Sequence, residues 1–288
     1  MEFKLKILKN KGIPEVLREI PQPPEKLYIA GELPPEGTVY LAVVGSRKCT
    51  TYGKDAVKKL IAGLRGYPIA IVSGLAVGID ALAHEAALDA GLIPVGFPGS
   101  GLSEKAFFPS NHLGLAEKIL DAGGCLISEF EPEAKAEYYF FPMRNRLVAG
   151  ISKAALIIEA EEKSGTLITA RMALDYNREV LALPGQINSS FSKGTNKLIR
   201  AGATAITSSE DILQALGFEV DESKKQASLF EDATPEEKKV LKLLTEPMER
   251  DDLIRTMKLG TAEANALLSV MEIKGLIREE LGEIRATF

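Results

Sequence analysis

Apolar runs bounded by turn residues recur along the chain at 39–44 (VYLAVV), 69–73 (IAIVS), 93–97 (IPVGF), 125–128 (CLIS), 154–159 (AALIIE) and 180–183 (VLAL). Their length and branched side chains predict strands. Between most of them the apolar positions return every three to four residues, as at 54–64, 78–90 and 165–176, which predicts helices. Strands and helices alternating in this way predict an α/β fold with a mostly parallel sheet covered by helices on both faces. Ligands of such sheets bind beyond the carboxyl ends of the strands. The residues just after each run are therefore where chemistry is sought.

Small glycine-containing loops stand at four of those ends. Gly45-Ser46-Arg47 follows the first run and the stretch from Ser73 and Gly74 to Asp80 follows the second. Ser164-Gly165-Thr166 opens a helix after the fifth, and Leu183-Pro184-Gly185 with SKGTN at 192–196 follows the sixth. Helix-start amides and hydroxyls suit an anion, because the dipole and the donors point the same way. The first loop, in AVVGSRKCTTYGKDA at 42–56, is not a P-loop: Gly45 comes eight positions before Gly53, and Lys54 is followed by Asp55. It is not the dinucleotide fingerprint either, since Gly45, Arg47 and Thr50 stand where three glycines are required. Helix-end amides and one guanidinium remain, an anion site of a different kind.

Another stretch, EYYFFPMRNRLVAGIS at 137–152, sets Tyr138, Tyr139, Phe140 and Phe141 beside Arg144, Asn145 and Arg146. Aromatic faces that stack on bases, next to guanidinium groups that track phosphates, suit a single nucleic-acid strand. The competing account has two of the four aromatics filling the core and the arginines forming a solvated helix start. On either account both arginines are expected on the rim.

Composition removes other classes. Two cysteines and two histidines supply neither a local zinc framework nor a disulfide scaffold. The start MEFKLKILKN lacks the apolar core of a signal peptide, and no apolar stretch approaches the length of a membrane span, so a soluble, cytoplasmic protein without membrane contact is expected. No G-x-S-x-G elbow is present. His84 follows Asp80 by one helical turn, within bonding reach, and reads as a satisfied structural histidine. No metal, cofactor or catalytic residue is expected. The net charge of −5 by itself argues against nucleic acid, but residues 217–288 hold 16 acidic and 11 basic residues and so carry all of it. Residues 144–200 have nine Lys or Arg against five Asp or Glu.

Taken together, VVGSR with TTYG, IVSGLAVGIDALAHEAAL, FFPSN, ISE, FPMRNRLVAGIS, EAEEKSGTLITA, LPGQI and SKGTNKLIRAGA with SEDIL resemble the DprA/Smf family, in unbroken order over about residues 20–216. The resemblance implies an extended Rossmann-like sheet over 39–216 and no catalytic activity. It also implies a homodimer that binds single-stranded DNA, protects it during natural transformation and loads a RecA-type recombinase. Carried over by position, its DNA pocket falls on Ser46, Arg47, Gly74, Arg144, Asn145, Arg146, Ser164, Thr166 and Asn196. Phe141 joins as a stacking face, and Lys193 and Lys197 extend the track. Many family members begin with a helical SAM-like domain; here residues 1–38, with PQPPEKLYIAGELPPEG, read as an extended lead-in, that domain being shortened or absent.

The tail has a linker at 217–233 and then, over 234–288, three helices and a short hairpin that resemble a small winged-helix domain. Thr234 and Pro235 suit an N-cap and first helical position. The third helix, TAEANALLSVMEIKG, has two acids and one lysine, whereas phosphate contacts need positive charge; a protein-contacting or structural role is expected. Two other functions compete. A nucleotide-processing enzyme of the phosphoribohydrolase-like Rossmann type would use a glutamate near the SGT turn, where Glu159, Glu161 and Glu162 lie, but the PGGxGTxxE arrangement is missing. A transcriptional regulator acting through the winged helix is disfavoured by the tail's acidity.

Overall fold

The computed structural model describes residues 3–219, 233–244, 246–280 and 282–286. The chain divides into two compact units, 1–220 and 221–288. The first holds nine strands: β1 (Leu5–Lys9), β2 (Lys26–Gly31), β3 (Val39–Val44), β4 (Ile69–Ser73), β5 (Ile93–Gly96), β6 (Cys125–Ser128), β7 (Ala154–Ile157), β8 (Glu179–Ala182) and β9 (Thr204–Ala205). They form one sheet in the order β1-β2-β6-β5-β4-β3-β7-β8-β9, parallel from β6 to β9, with β2 antiparallel to β6 and β1 antiparallel to β2. Its helices are α1 (Glu15–Arg18), α2 (Thr51–Ala62), α3 (Ile79–Asp89), α4 (Leu113–Asp121), α5 (Phe140–Ile151), α6 (Gly165–Asp175), α7 (Lys193–Arg200) and α8 (Ser209–Ala215).

The central strands are apolar throughout because both faces of the sheet are covered. Leu41 and Val43 of β3 pack with Val57, Ile61, Ile79 and Ile212 of α2, α3 and α8. Ala42 and Val44, alternating with them, pack with Leu17, Leu147, Val148 and Ala170 of α1, α5 and α6. Each branched side chain buried in this way contributes about 1.5–3 kcal/mol. After β3 the chain builds outward through β4, β5 and β6, then returns to the other side of β3 with β7. The strand order therefore reverses between β3 and β7, where a crevice opens beyond their carboxyl ends.

All six apolar runs are strands, and the helices expected at 54–64, 78–90 and 165–176 are α2, α3 and α6. The N-terminal segment departs from expectation. It is extended, yet it is not a lead-in outside the sheet: Leu27, Tyr28, Ile29 and Ala30 of β2 are buried, and Tyr28 pairs with Ser128. The prolines that suggested an unpaired segment lie outside Lys26–Gly31, so β2 keeps its ladder hydrogen bonds to β1 on one side and β6 on the other.

In the second unit, α9 (Pro235–Leu243), α10 (Arg250–Met257) and α11 (Thr261–Ile273) stand with β10 (Met248–Glu249), β11 (Ile277–Glu280) and β12 (Glu283–Ala286), paired in the order β10-β12-β11. Val240, Leu241, Leu253, Leu268, Met271 and Ile284 form its own core. Thr234 and Glu237 make a reciprocal capping box with Pro235 in the first turn. The expected linker lies mostly outside the described residues.

Helix α3 is buried almost all round, His84 included. His84 does not bond Asp80, whose Oδ2 accepts from Gly74 N at 3.1 Å, and neither ring nitrogen has a hydrogen-bond partner. Burial pushes its pKa down to about 3, the Ser73 main chain opposing the shift without full hydrogen-bond geometry. The unfolded chain therefore takes up a proton at pH values where the folded chain refuses it. The stability owed to the neutral ring is complete above pH 6.5 and is lost as pH falls toward 3. Between pH 7.5 and 5, urea denaturation should show His84→Gln losing about 2 kcal/mol less stability than the unsubstituted protein. Equal losses would mean that other groups set the acid sensitivity.

Candidate functional site

At the crevice between β3 and β7 a cleft of about 470 Å³ opens. Its walls come from Gly45 to Lys48 after β3, Ala76 and Asp80 after β4, and Tyr138, Phe141, Pro142, Arg144 and Asn145 around the start of α5. Glu161, Lys163 to Thr166, Ile168 and Thr169 complete it after β7. Close backbone approach fastens these loops together. Thr166 Oγ1 donates to Gly45 O at 3.0 Å, and Ile79 N donates to Ser46 O at 3.2 Å. Gly78 has φ +87°, and a Cβ there would lie 2.4 Å from Ser46 O, so only glycine fits. Ser46 Oγ accepts from Lys48 N at 3.1 Å and shapes the turn. Ser164 caps α6 by accepting from Thr166 N.

The cations divide into two kinds. Arg47 is exposed at the cleft, its guanidinium 5.1 Å from the centroid of the Phe141 ring, a contact worth about 0.5–1 kcal/mol at such a site. Arg144 is only 4% exposed. Its Nη1 donates to the carbonyls of Gly74 and Phe97, and its Nε donates to Asn145 Oδ1 at 3.0 Å. Burial lowers its pKa to about 10, the charge of Asp80 opposing the shift, so it remains a cation at neutral pH. Burial likewise raises the pKa of Asp80, against the pull of Arg144. The two opposite charges attract each other across the Gly74 loop at the buried side of the cleft.

The structure brings Ser46, Arg47, Phe141, Arg144, Asn145, Ser164 and Thr166 to this cleft, and Gly74 to an adjoining recess of about 80 Å³ that also touches Arg47, Phe108 and Phe141. Four expected residues do not line either space. Arg146 is buried and its Nη2 pairs with Glu129, 2.6 Å to Oε1. The rim position expected for Arg144 and Arg146 is therefore corrected: both are buried, Arg146 in an ion pair with Glu129 and Arg144 on main-chain carbonyls in the field of Asp80. Asn196 donates to Gly185 O at 2.9 Å and accepts from Gly185 N at 3.2 Å, clamping the loop after β8. Lys193 and Lys197 are exposed on α7 outside the cleft lining. Of the aromatics, Phe140 and Phe141 are half-buried, and Tyr138 and Tyr139 are exposed.

Lys48, Lys163 and Ile168 line the cleft without having been singled out by sequence for a binding role. Lys48 and Lys163 adjoin the motif residues Arg47 and Ser164, which was the available signal. Glu159, the candidate base of an enzymatic site, is buried and absent from the lining. Its carboxylate accepts from Thr50 N at 2.9 Å and Thr50 Oγ1 at 2.5 Å, while Gly53 leaves room for it. Four cationic side chains against two acidic ones leave the lining with an excess of positive charge, which suits an anion. Among the described residues no cluster of His, Cys, Asp and Glu could hold a metal ion, and no helix is long and apolar enough to cross a membrane.

Comparison with known proteins gives two family matches: DNA recombination-mediator protein A over residues 4–217 and the DprA winged helix domain over residues 224–283. Protein Smf of Escherichia coli is 42% identical over 195 residues, covering 68% of this chain and 52% of that protein, so the chain spans about half its length. The crystal structure of DNA processing protein A from Streptococcus pneumoniae matches with a TM-score of 0.68 at 36% identity, covering 76% of this chain and 75% of that one. A structure describing the single-stranded DNA binding mode of DNA processing protein A from Helicobacter pylori matches with a TM-score of 0.65 at 31% identity, covering 75% and 98%.

The two arginines should separate in a stability measurement. Arg144→Ala strands Asp80 and two carbonyls in the interior and should cost about 3–5 kcal/mol. Arg47→Ala removes an exposed side chain with its single ring contact and should cost no more than about 1 kcal/mol. Chemical denaturation of the two variants side by side checks this; an Arg144→Ala protein as stable as the parent would return that residue to the rim.

Proposed function

The chain belongs to the DprA/Smf family of DNA recombination-mediator proteins, and on that footing we propose that its cleft binds the backbone of single-stranded DNA. The observation that carries this reading is the meeting of exposed Arg47, Lys48 and Lys163 with the amino end of α6 at one cleft mouth. Guanidinium and ammonium groups there face the same space as the helix-start amides, an arrangement that favours phosphate. The Helicobacter pylori relative, whose single-stranded DNA binding mode has been described, supports the choice of ligand.

In the same reading the protein acts in the cytoplasm as a homodimer, protects incoming strands in natural transformation and passes them to a RecA-type recombinase. Family membership supports these steps. Of the three glutamates near the SGT turn, Glu159 has both oxygens occupied by Thr50 and none facing the cleft, which supports binding without chemistry, while Glu161 stands exposed in the cleft lining. The winged helix is assigned a protein-contacting or structural role. Lys274, the one lysine of its third-helix stretch, is paired with Glu237 at 2.7 Å, leaving Glu263 and Glu272 exposed on that helix.

Titration with a single strand and with a duplex of equal length should show preference for the single strand. Its log affinity should fall linearly with log salt, at about −0.7 per phosphate neutralised. Nucleotides and oligomers recovered afterwards should be unchanged. Equal affinity for both forms would sink the proposal, and turnover lost on Glu159→Gln would favour the phosphoribohydrolase-type alternative.

A further inference from the structure

Of four aromatic residues in a row, Tyr138 to Phe141, the first and the last line the cleft, and three of the four are engaged in contacts with other rings. Phe140 stacks on Phe130 with ring centroids 3.7 Å apart and planes 8° from parallel. Tyr139 meets the edge of Phe140 at 4.9 Å. Phe141 lies 5.9 Å from Phe108, carries Arg47 over its ring, and covers Gly99, where a Cβ would approach it to 2.7 Å. Tyr138 is the one of the four without a ring partner. It is 88% exposed, and it lines the cleft.

We infer that Tyr138 is the residue that makes the cleft select unpaired strands, by stacking on one base whose phosphate is held by the neighbouring cations; this rests on the reading of the cleft as a DNA site. The physical argument is one of availability. Phosphates are offered by single strands and duplexes alike, so Arg47, Lys48 and Lys163 attract both. The face of a base is free only when the base is not stacked between its neighbours in a duplex, so an aromatic face at the cleft mouth gains its contact from single strands alone. Phe141 cannot do the same work without releasing Arg47, for which it is the positioning residue.

Binding of an oligothymidine and of a duplex to the full chain, at low salt, tests this with Tyr138→Ala, Tyr138→Phe, Tyr138→Trp and Arg47→Ala. Tyr138→Ala should weaken single-strand binding about fivefold or more, the effect of losing one stacked base, and leave duplex binding unchanged. Tyr138→Phe should retain the preference, because the ring and not the hydroxyl supplies it, and Arg47→Ala should weaken both substrates alike. The chain has no tryptophan, so Tyr138→Trp supplies a single reporter whose fluorescence should be quenched by the single strand and not by the duplex. A Tyr138→Ala protein that loses both substrates equally, or neither, overturns the inference, as does an unquenched tryptophan. An unsubstituted protein that shows no single-strand preference overturns the DNA reading and this inference together, whereas preference that survives Tyr138→Ala overturns this inference alone.

Discussion

A guanidinium group is buried behind the cleft, and the carboxyl-end rim is organised around it. Arg144 donates to Gly74 O from the loop after β4 and to Phe97 O from the loop after β5, while sitting on α5 against the charge of Asp80. A charge in such a place is tolerated only when paired and hydrogen-bonded. This requirement explains other residues. A Cβ on Gly74 would lie 2.4 Å from Arg144 Nη1 and 2.6 Å from Asp80 Oδ2, so the glycine of the SGLA loop leaves room for both charged groups. Asp80 also accepts from the Gly74 amide, which leaves its carboxylate serving the loop and the arginine together.

The same close packing fastens the remaining loops. Gly45 abuts Ile79, where a Cβ would approach to 2.6 Å, and Gly53 abuts the Glu159 carboxylate at the same separation. The loop after β3 is thus held by α3 on one side and by the end of β7, through Thr50 and Glu159, on the other. A site fixed by interior contacts loses little freedom when its ligand arrives, and that lowers the entropic cost of binding. It also separates the residues that build the rim, Arg144, Asp80, Glu159 and Thr166, from those that face outward, Arg47, Lys48, Lys163 and Tyr138.

That division was only partly legible in the sequence. The strands and their glycine-containing loops were visible, because apolar runs and turn residues are local signals and the strand-end rule locates the chemistry without coordinates. The burial of Arg144 and Arg146 was not. Arginine is mostly exposed, and the partners that overturn this tendency, Asp80 and Glu129, come from other elements of the fold. The same holds for Asn196, whose spacing suggested a ligand contact and whose amide instead closes on Gly185. β2 was hidden by its flanking prolines, and its place in the sheet depends on β6, nearly a hundred residues away in the chain.

Net charge misdirects for a related reason. The −5 total belongs to the whole chain, but what a ligand meets is the charge left unpaired at one surface. In the smaller unit Lys274 is paired with Glu237 and Arg250 with Glu279, so these basic groups are already neutralised within the fold. Among the described residues neither Arg47, Lys48 nor Lys163 forms an ion pair. On the proposed reading, a chain that is acidic overall binds a polyanion at this cleft because phosphates gain most where protein cations have no carboxylate of their own.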